Sequence, residues 1–503
     1  MNKLYSIEGN DLIDSCRFYF FKLRNNTIEY LFSQPASVTT STQAVSFGTR
    51  RPSADKQDSG MGGNVLMGGG RRSDSISVDM QPYQAFSAAS RTLITNVVVE
   101  QNFLADFFHY APAKPSTGSK KGRKVDAYDP STTSARITFN EWVTGGWESI
   151  GMWSVPRKYK VQSNINTEVK NILELLFGNL KAHLDSMIDM GTRFDPSQAL
   201  GMIAAVEELE DMCKGTDQLF AIRLLEAAKK HLTTIFDQFV QAQMAAIDDK
   251  KLVTKKRSGV QPAVRIFPKF LSHMESLSGL NSPEAQELSN QTISKVGQHI
   301  LDTFVNLVTE SKTAAQGNDK DLLKEYLNSL ILALTNLSTL RDGLAPLVSS
   351  SKSERLGTFN VAKHFYNISS RHAATFQHDY VMILIHRPMG RLIDFFSVVD
   401  DAYSRQQSPE LIPGHNRASL KKLVAAHTQK EVKEAVKLLY KRAEKHLGSQ
   451  PALLSAVWRE VREDMLKLHQ SFTATLTKFY TDSGITLEFR QADLLQWLDE
   501  QSR

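Results

Sequence analysis

The feature that most constrains the fold is a helical spacing of apolar residues that recurs over long segments of the chain. In Thr167–Met190, Asp321–Leu340 and Pro451–Tyr480, apolar side chains follow one another every three or four residues. This spacing places them on one face of an α-helix, and that face must be buried against other helices. Strand signals are scarce, because only Ile485–Phe489 alternates cleanly and Arg136–Trp142 does so roughly. We therefore predict an all-α fold of stacked antiparallel helices, roughly two-thirds helical against the usual ~30–35%.

Length and local composition divide the chain into several parts. The 503 residues exceed one compact core, so several units of about 100–200 residues are expected. Residues 35–82 are rich in Ser, Gly and Arg, and such a segment cannot bury enough apolar surface to offset its chain entropy. The predicted division is a helix from an upstream bundle at residues 1–34, a disordered linker at 35–82, and helical bundles at 83–265, 266–385 and 386–503.

The charge balance and the cysteines limit the class of protein. The 60 Lys and Arg residues against 54 Asp and Glu residues give a net charge of +6, which is small for this length and predicts no nucleic-acid partner. The two cysteines, Cys16 and Cys213, lie far apart and have neither zinc-site spacing nor a disulfide framework. No apolar run is long enough for a signal peptide or for the ~20 residues of a transmembrane helix. We expect a cytoplasmic chain.

A group of glycines between residues 60 and 70 raises the question of a phosphate-binding loop. A dinucleotide-binding loop needs a buried strand before it and a helix after it, and a P-loop ends in Lys followed by Ser or Thr. Here polar sequence precedes the glycines and Arg71-Arg72-Ser73 follows them. A flexible linker is the favoured interpretation, and no cofactor is predicted.

Histidines in the second half of the chain suggest an enzymatic alternative. The order of His364, His372, His378-Asp379 and Asp394 loosely follows the His, His-Asp, Asp ligand order of helical metal-dependent phosphohydrolases. The enzymatic alternative would use His364, His378 and Asp379 as ligands. Such ligands must converge from separate helices on one or two metal ions. Structural histidines beside the apolar segment that begins at Tyr380 are the favoured interpretation, and the chain is predicted to be non-enzymatic with no metal.

Two basic clusters fall in predicted loops. They could bind anionic lipid at ~1 kcal/mol for each well-placed charge, which would make the chain a membrane-surface module, or they could be solvated loop tips. Their residues are Lys120, Lys121, Arg123 and Lys124 in the first loop, and Lys255, Lys256 and Arg257 in the second. In the predicted linker, two arginines before Ser53 make that serine a candidate phosphorylation site, where a phosphate would add negative charge to a mobile segment.

The segment "KEVKEAVKLLYKRAEKHL" from Lys430 to Leu447 carries a candidate partner-binding surface. At helical spacing its apolar residues share one face, and a second sector carries a lysine at every fourth position. The predicted buried residues are Val432, Val436, Leu439, Ala443 and Leu447. The predicted basic face consists of Lys433, Lys437, Lys441 and Lys445. By charge alone a solvated helix surface is favoured over a site for lipid headgroups or nucleic acid. The exposed lysines could also face an acidic partner surface.

Several segments near the C-terminus are recognisable as a set. "HRPMGRLIDFFSVVDDAY" from His386 is followed by "KEVKEAVKLLYKRAEKHL", by "LLSAVWREVREDML" from Leu453 and by "YTDSGITLEFRQADLLQWL" from Tyr480. In this order they closely resemble the C-terminal region of the exocyst complex component 1 family, also called the Sec-three subunit. "VVVEQNFLADFFHY" from Val97 is similar to the start of that region, and the segment from Arg355 to Ser369 is a weaker match.

The resemblance implies an elongated rod of consecutive antiparallel helical bundles, the tethering-complex helical-rod class. It also implies a scaffold that associates with other exocyst subunits, acts with the vesicle and plasma-membrane tethering machinery, and tethers secretory vesicles at plasma-membrane sites of secretion before fusion. Members of the family carry a pleckstrin-homology-like domain and a coiled coil upstream of the region that this chain resembles. Phosphoinositide and Rho-type GTPase binding is therefore expected only from that upstream domain and of no residue here.

Overall fold

The computed structural model describes residues 31–32, 80–107, 155–158, 163–248, 259–279, 282–317, 319–349, 359–405, 412–480 and 483–501. The predicted helix at residues 1–34 and the predicted disordered linker at residues 35–82 lie almost wholly outside these ranges. The loops predicted to carry the two basic clusters also lie outside them.

Regular secondary structure in the described residues is entirely helical, which confirms the all-α prediction. The α-helices are α1 (Pro82–Phe107), α2 (Ser163–Phe177), α3 (Leu180–Thr192), α4 (Gln198–Cys213), α5 (Leu219–Asp248), α6 (Pro262–Ser278), α7 (Pro283–Ala314), α8 (Lys320–Ser349), α9 (Phe359–Ser404), α10 (Arg417–Ala425), α11 (Gln429–Leu447), α12 (Pro451–Phe479) and α13 (Gln491–Gln501). A short 3-10 turn, Ala315–Gly317, follows α7. The alternating residues 485–489 form no strand.

The chain divides into two compact units. The first comprises Met1–Ile28 and Gln34–Phe236, and the second comprises Glu29–Ser33 and Asp237–Arg503. The predicted bundle boundaries at residues 265 and 385 fall inside α6 and α9, and the division into three bundles stays a prediction.

In the first unit, α1 packs against α2, α3 and α4. Gly201 of α4 permits a close approach to this helix, because a Cβ atom there would lie 2.6 Å from the ring of Tyr83. A buried amide network fixes the far end of α1: Asn102 donates to the Val155 carbonyl at 2.9 Å and accepts from the Gln218 amide at 3.0 Å. Close packing at one end and paired polar groups at the other hold α1 in place.

In the second unit, α8 and α9 form the most extensive helix pair, and α6 and α7 pack beside them. The apolar spacing in Asp321–Leu340 places five leucines of α8 on one side, which is predicted to be buried. Four of them are buried, namely Leu327, Leu330, Leu334 and Leu337, whereas Leu323 in the first turn of α8 is exposed. At the start of α7, Ser282 accepts a hydrogen bond from the Ala285 amide at 3.3 Å, just before Pro283 at the first helical position.

The long helix α9 connects this group to the C-terminal helices. It packs against α12 and α11, and α11, α12 and α13 pack against one another. The phenol of Tyr380 in α9 is hydrogen-bonded to Nδ1 of His446 in α11 at 2.8 Å. The indole of Trp458 in α12 donates to the Leu498 carbonyl of α13 at 3.1 Å. These helices therefore position α11, which carries the predicted basic face.

Candidate functional site

The ends and the buried side of α11 follow from its sequence. Thr428 and Glu431 form a capping box, in which the Thr428 hydroxyl accepts from the Glu431 amide at 3.3 Å and the Glu431 carboxylate accepts from the Thr428 amide at 3.2 Å. The last turn carries Lys445 and His446, whose positive or hydrogen-bonding side chains suit a helix C-terminus. All five apolar residues predicted to face inward, from Val432 to Leu447, are buried.

The four lysines of the basic face of α11 are all exposed. The ammonium of Lys433 lies 3.2 Å from the Glu500 carboxylate of α13, so one end of the face is joined to a neighbouring helix. Lys437 lies 3.9 Å from Glu434, at the outer limit of an ion pair within one helix. Exposed pairs of this kind contribute little, about 0.2–1 kcal/mol, so they do not prevent Lys433 and Lys437 from contacting a partner.

An exposed leucine stands among these lysines. Leu438 directly follows Lys437 and precedes Lys441 by three positions, and 53% of its surface is exposed. A large apolar side chain that borders lysines offers a partner both an apolar contact and positive charge. Isolated exposed leucines are common, so the candidate site depends on the leucine and the basic face together.

The other predicted basic residues cannot be placed. Lys120, Lys121, Arg123 and Lys124 lie outside the described residues, as do Lys255, Lys256 and Arg257. Ser53 also lies outside them.

The structure does not bring His364, His378 and Asp379 together, although all three lie on α9. The ring of His364 packs edge-on against Phe365, and His378 faces the Glu460 carboxylate of α12 with an Nδ1 to Oε1 distance of 3.0 Å. Successive residues of a helix point about 100° apart, which is why His378 and Asp379 face different neighbours. Nor does Asp394 join them, since its carboxylate contacts His386 at 3.1 Å. The proposed phosphohydrolase ligand set is therefore not assembled.

Asp379 instead belongs to an ion-pair cluster between helices. Its Oδ2 atom lies 2.8 Å from the Lys312 ammonium of α7 and accepts from the Tyr326 phenol of α8 at 3.1 Å. The hydrogen bond to Asp379 raises the pKa of Lys312. Burial and the Asp379 charge raise the pKa of Tyr326 to about 12. The cluster keeps Lys312 charged and Tyr326 protonated, which is a structural role.

Sequence comparison identifies the family. A family model described as "Exocyst complex component Sec3, C-terminal" matches residues 132–482, which is more than two thirds of the chain. The chain belongs to the exocyst Sec3 C-terminal family. The helices α11 and α12 lie wholly inside the matched range, whereas α13 follows it.

Curated relatives agree with this assignment. The chain is 23% identical over 336 residues to exocyst complex component 1 of Mus musculus, an alignment that covers 65% of this chain and 34% of the mouse protein. It is 23% identical over 395 residues to the Drosophila melanogaster protein of the same name, covering 76% of this chain and 41% of the fly protein. The matched part of the chain thus covers well under half the length of these two relatives. No solved structure matches it.

Among the described helices, none combines the length and the apolar character needed to cross a bilayer.

Proposed function

We propose that this chain is a non-enzymatic scaffold subunit of the exocyst, which tethers secretory vesicles to the plasma membrane before fusion. The observation that carries the proposal is the Sec3 C-terminal match over more than two thirds of the chain. Helical bundles with broad exposed faces suit a scaffold, because helix faces can pack against helices of other subunits. The chain works in the cytoplasm and reaches sites of secretion as part of the assembled exocyst.

The basic face of α11 is the proposed contact surface for another exocyst subunit, and the proposed occupant is an acidic helical surface. The positive charge of the face supports this assignment, since Lys433, Lys437, Lys441 and Lys445 are all exposed on one helix within the C-terminal part of the chain. Complementary charges mainly speed encounter and fix orientation. Leu438 would add affinity by burying its exposed surface beside the basic face.

The test is co-purification from cells of the protein's own source, with a tagged chain and gentle salt. A second preparation carries Lys437→Glu and Lys441→Glu, which reverse two charges one helical turn apart. The matched control carries Lys320→Glu and Lys324→Glu on α8, where two exposed lysines have the same spacing. Because all four side chains are exposed, none of these substitutions is expected to unfold the chain.

Recovery of other exocyst subunits with the unmodified chain and with the α8 control supports the scaffold role. Their loss, or a severalfold decrease, only with the α11 variant supports the proposed surface. Equal recovery with all three chains would mean that the contact surface lies elsewhere on the chain, and it would not contradict the scaffold role. Recovery with none would contradict that role for this chain. Salt-sensitive binding of the purified chain to anionic liposomes, lost in the α11 variant, would assign the face to a membrane instead.

A further inference from the structure

A second group of polar side chains lies between α9 and α12, apart from the basic face of α11. Glu460 and Asp464 are four residues apart on α12 and therefore lie on one side of that helix, one turn apart. Both face the imidazole of His378 on α9. Its Nδ1 atom lies 3.0 Å from Glu460 Oε1 and 3.9 Å from Asp464 Oδ2.

In each carboxylate, a neighbouring side chain contacts the other oxygen, so that Glu460 Oε1 and Asp464 Oδ2 face the imidazole. The Gln377 amide donates to Glu460 Oε2 at 2.6 Å, and the Lys467 ammonium lies 2.9 Å from Asp464 Oδ1. The remaining oxygen of Asp464, Oδ2, is closed off from solvent and has no hydrogen-bond donor. A buried acceptor that lacks a partner destabilises the fold, and it does so more strongly when it is charged.

One imidazole cannot satisfy both carboxylates. The Nδ1 atom carries at most one proton, and that proton can be donated well to Glu460 or to Asp464 but not to both. The two carboxylates also repel each other across one helical turn. A divalent cation in place of this single proton would bind the nitrogen and both oxygens and neutralise the carboxylates together.

We propose that His378, Glu460 and Asp464 form a zinc-binding site that links α9 to α12. All three ligand atoms lie within 4.8 Å of one another. Ligands around tetrahedral zinc lie roughly 3.4 Å apart when the bonds are ~2.1 Å, so small side-chain rotations complete the geometry. The His378 side chain is 59% exposed, which gives the ion a path of entry and leaves room for a water molecule as fourth ligand.

The ligand set favours zinc over the abundant hard cations. Mg²⁺ and Ca²⁺ are bound by oxygen ligands, and Ca²⁺ takes six to eight of them, whereas imidazole is a preferred ligand of zinc. Binding displaces a proton from the imidazole when it is protonated there, because zinc requires the unprotonated nitrogen. The ion would join two helices of the C-terminal part of the chain and thereby stabilise it. This role is separate from the proposed exocyst contact.

The experiment is calorimetric titration of zinc sulfate into the full chain after removal of metals with a chelator. We compare the unmodified chain with His378→Ala and Asp464→Asn, and use His386→Ala as the matched control. His386 is also an exposed histidine of α9 beside a carboxylate, at 3.1 Å from Asp394, but its pair belongs to no three-ligand group in the described residues. Thermal unfolding with and without zinc is measured on the same samples.

The proposal predicts binding of one zinc ion per chain with a higher unfolding temperature, both unchanged in the His386 control. Mutation of a residue that only hydrogen-bonds to a metal ligand lowers metal affinity by about 10–100-fold. Loss of a ligand itself should lower zinc affinity by more. His378→Ala and Asp464→Asn should therefore each lower the affinity at least about 100-fold. Absence of binding to the unmodified chain would overturn the proposal. So would zinc binding that persists undiminished in His378→Ala, since another of the 13 histidines would then hold the ion.

Discussion

Leu438 and Leu439 are neighbours in the chain but lie in opposite environments on α11. The Leu439 side chain is 1% exposed and packs within the C-terminal helices, whereas Leu438 is 53% exposed beside the basic face. This one-residue difference defines the orientation of the helix. It also supplies a pair of positions where the same substitution should affect stability to very different degrees.

We expect Leu439→Asp to destabilise the C-terminal helices by about 4 kcal/mol or more. The substitution removes a buried apolar side chain and places an unpaired carboxylate in its position. Chemical denaturation followed by circular dichroism measures the change in the free energy of unfolding. Leu438→Asp is the matched control and should change it by less than about 0.5 kcal/mol. Equal effects at both positions would show that α11 does not have this orientation.

Because Gly297 of α7 has no side chain, two phenylalanine rings can pack against the backbone of this helix. A Cβ atom at this position would lie 2.5 Å from Phe365 Cζ and 2.7 Å from Phe267 Cζ. We therefore expect Gly297→Ala to destabilise the second unit by about 1–3 kcal/mol through overpacking, although alanine favours helix by itself. Gly259→Ala is the control, because nothing lies within 4 Å of its added methyl group. A thermal unfolding midpoint that stays the same or rises in Gly297→Ala would refute the close approach.

The capping box at the start of α11 should contribute measurably to stability. Thr428→Ala removes the hydroxyl that accepts from the Glu431 amide and should cost about 1 kcal/mol. Glu431→Gln should cost less, because glutamine can complete the same motif. Denaturant midpoints of the two variants make the comparison. A larger loss of stability from Glu431→Gln than from Thr428→Ala would show that the charge of Glu431 contributes more to stability than the capping hydrogen bonds do.

His372 of α9 predicts an acid dependence of stability. Burial lowers its pKa below the usual 6.5, the charge of Arg371 lowers it further, and Asp302 of α7 opposes the shift. Below pH 6.5 the unfolded chain therefore binds more protons at this residue than the folded chain does, and stability falls until the folded pKa is passed. We expect His372→Gln to lose less stability than the unmodified chain when pH falls from about 7 to 5. Unfolding curves at each pH measure this difference, and parallel losses would remove His372 as a contributor.

The helices were predictable from sequence because their signal is local. Periodic apolar residues identified the buried side of α11, including Val432, Val436 and Leu439, because residues three or four positions apart lie on the same side of a helix. The same rule failed at Leu323, which lies in the first turn of α8 and is exposed. The alternation at residues 485–489 produced no strand, because a strand also needs a partner that local sequence does not supply.

Contacts between helices were not predictable in the same way. His378 and Glu460 meet across 82 positions of sequence, and Asp379 reaches Lys312 across 67. The short spacing of His364, His378 and Asp379 in the sequence therefore suggested a ligand set that the fold does not bring together. The four-residue spacing of Glu460 and Asp464 was the one local signal of the cluster, but helices carry such pairs often on solvated faces. The packing of α9 against α12 is what places His378 beside these two carboxylates.

The most direct test of the scaffold role is to relocate the chain inside cells of its own source. The tagged chain is fused to a mitochondrial outer-membrane anchor, and fluorescently marked exocyst subunits and secretory vesicles are followed by microscopy. The anchor alone is the control. We expect other exocyst subunits, and vesicles with them, to gather at mitochondria that carry the chain. An unchanged distribution of both, with the chain folded and present on mitochondria, would contradict the scaffold role.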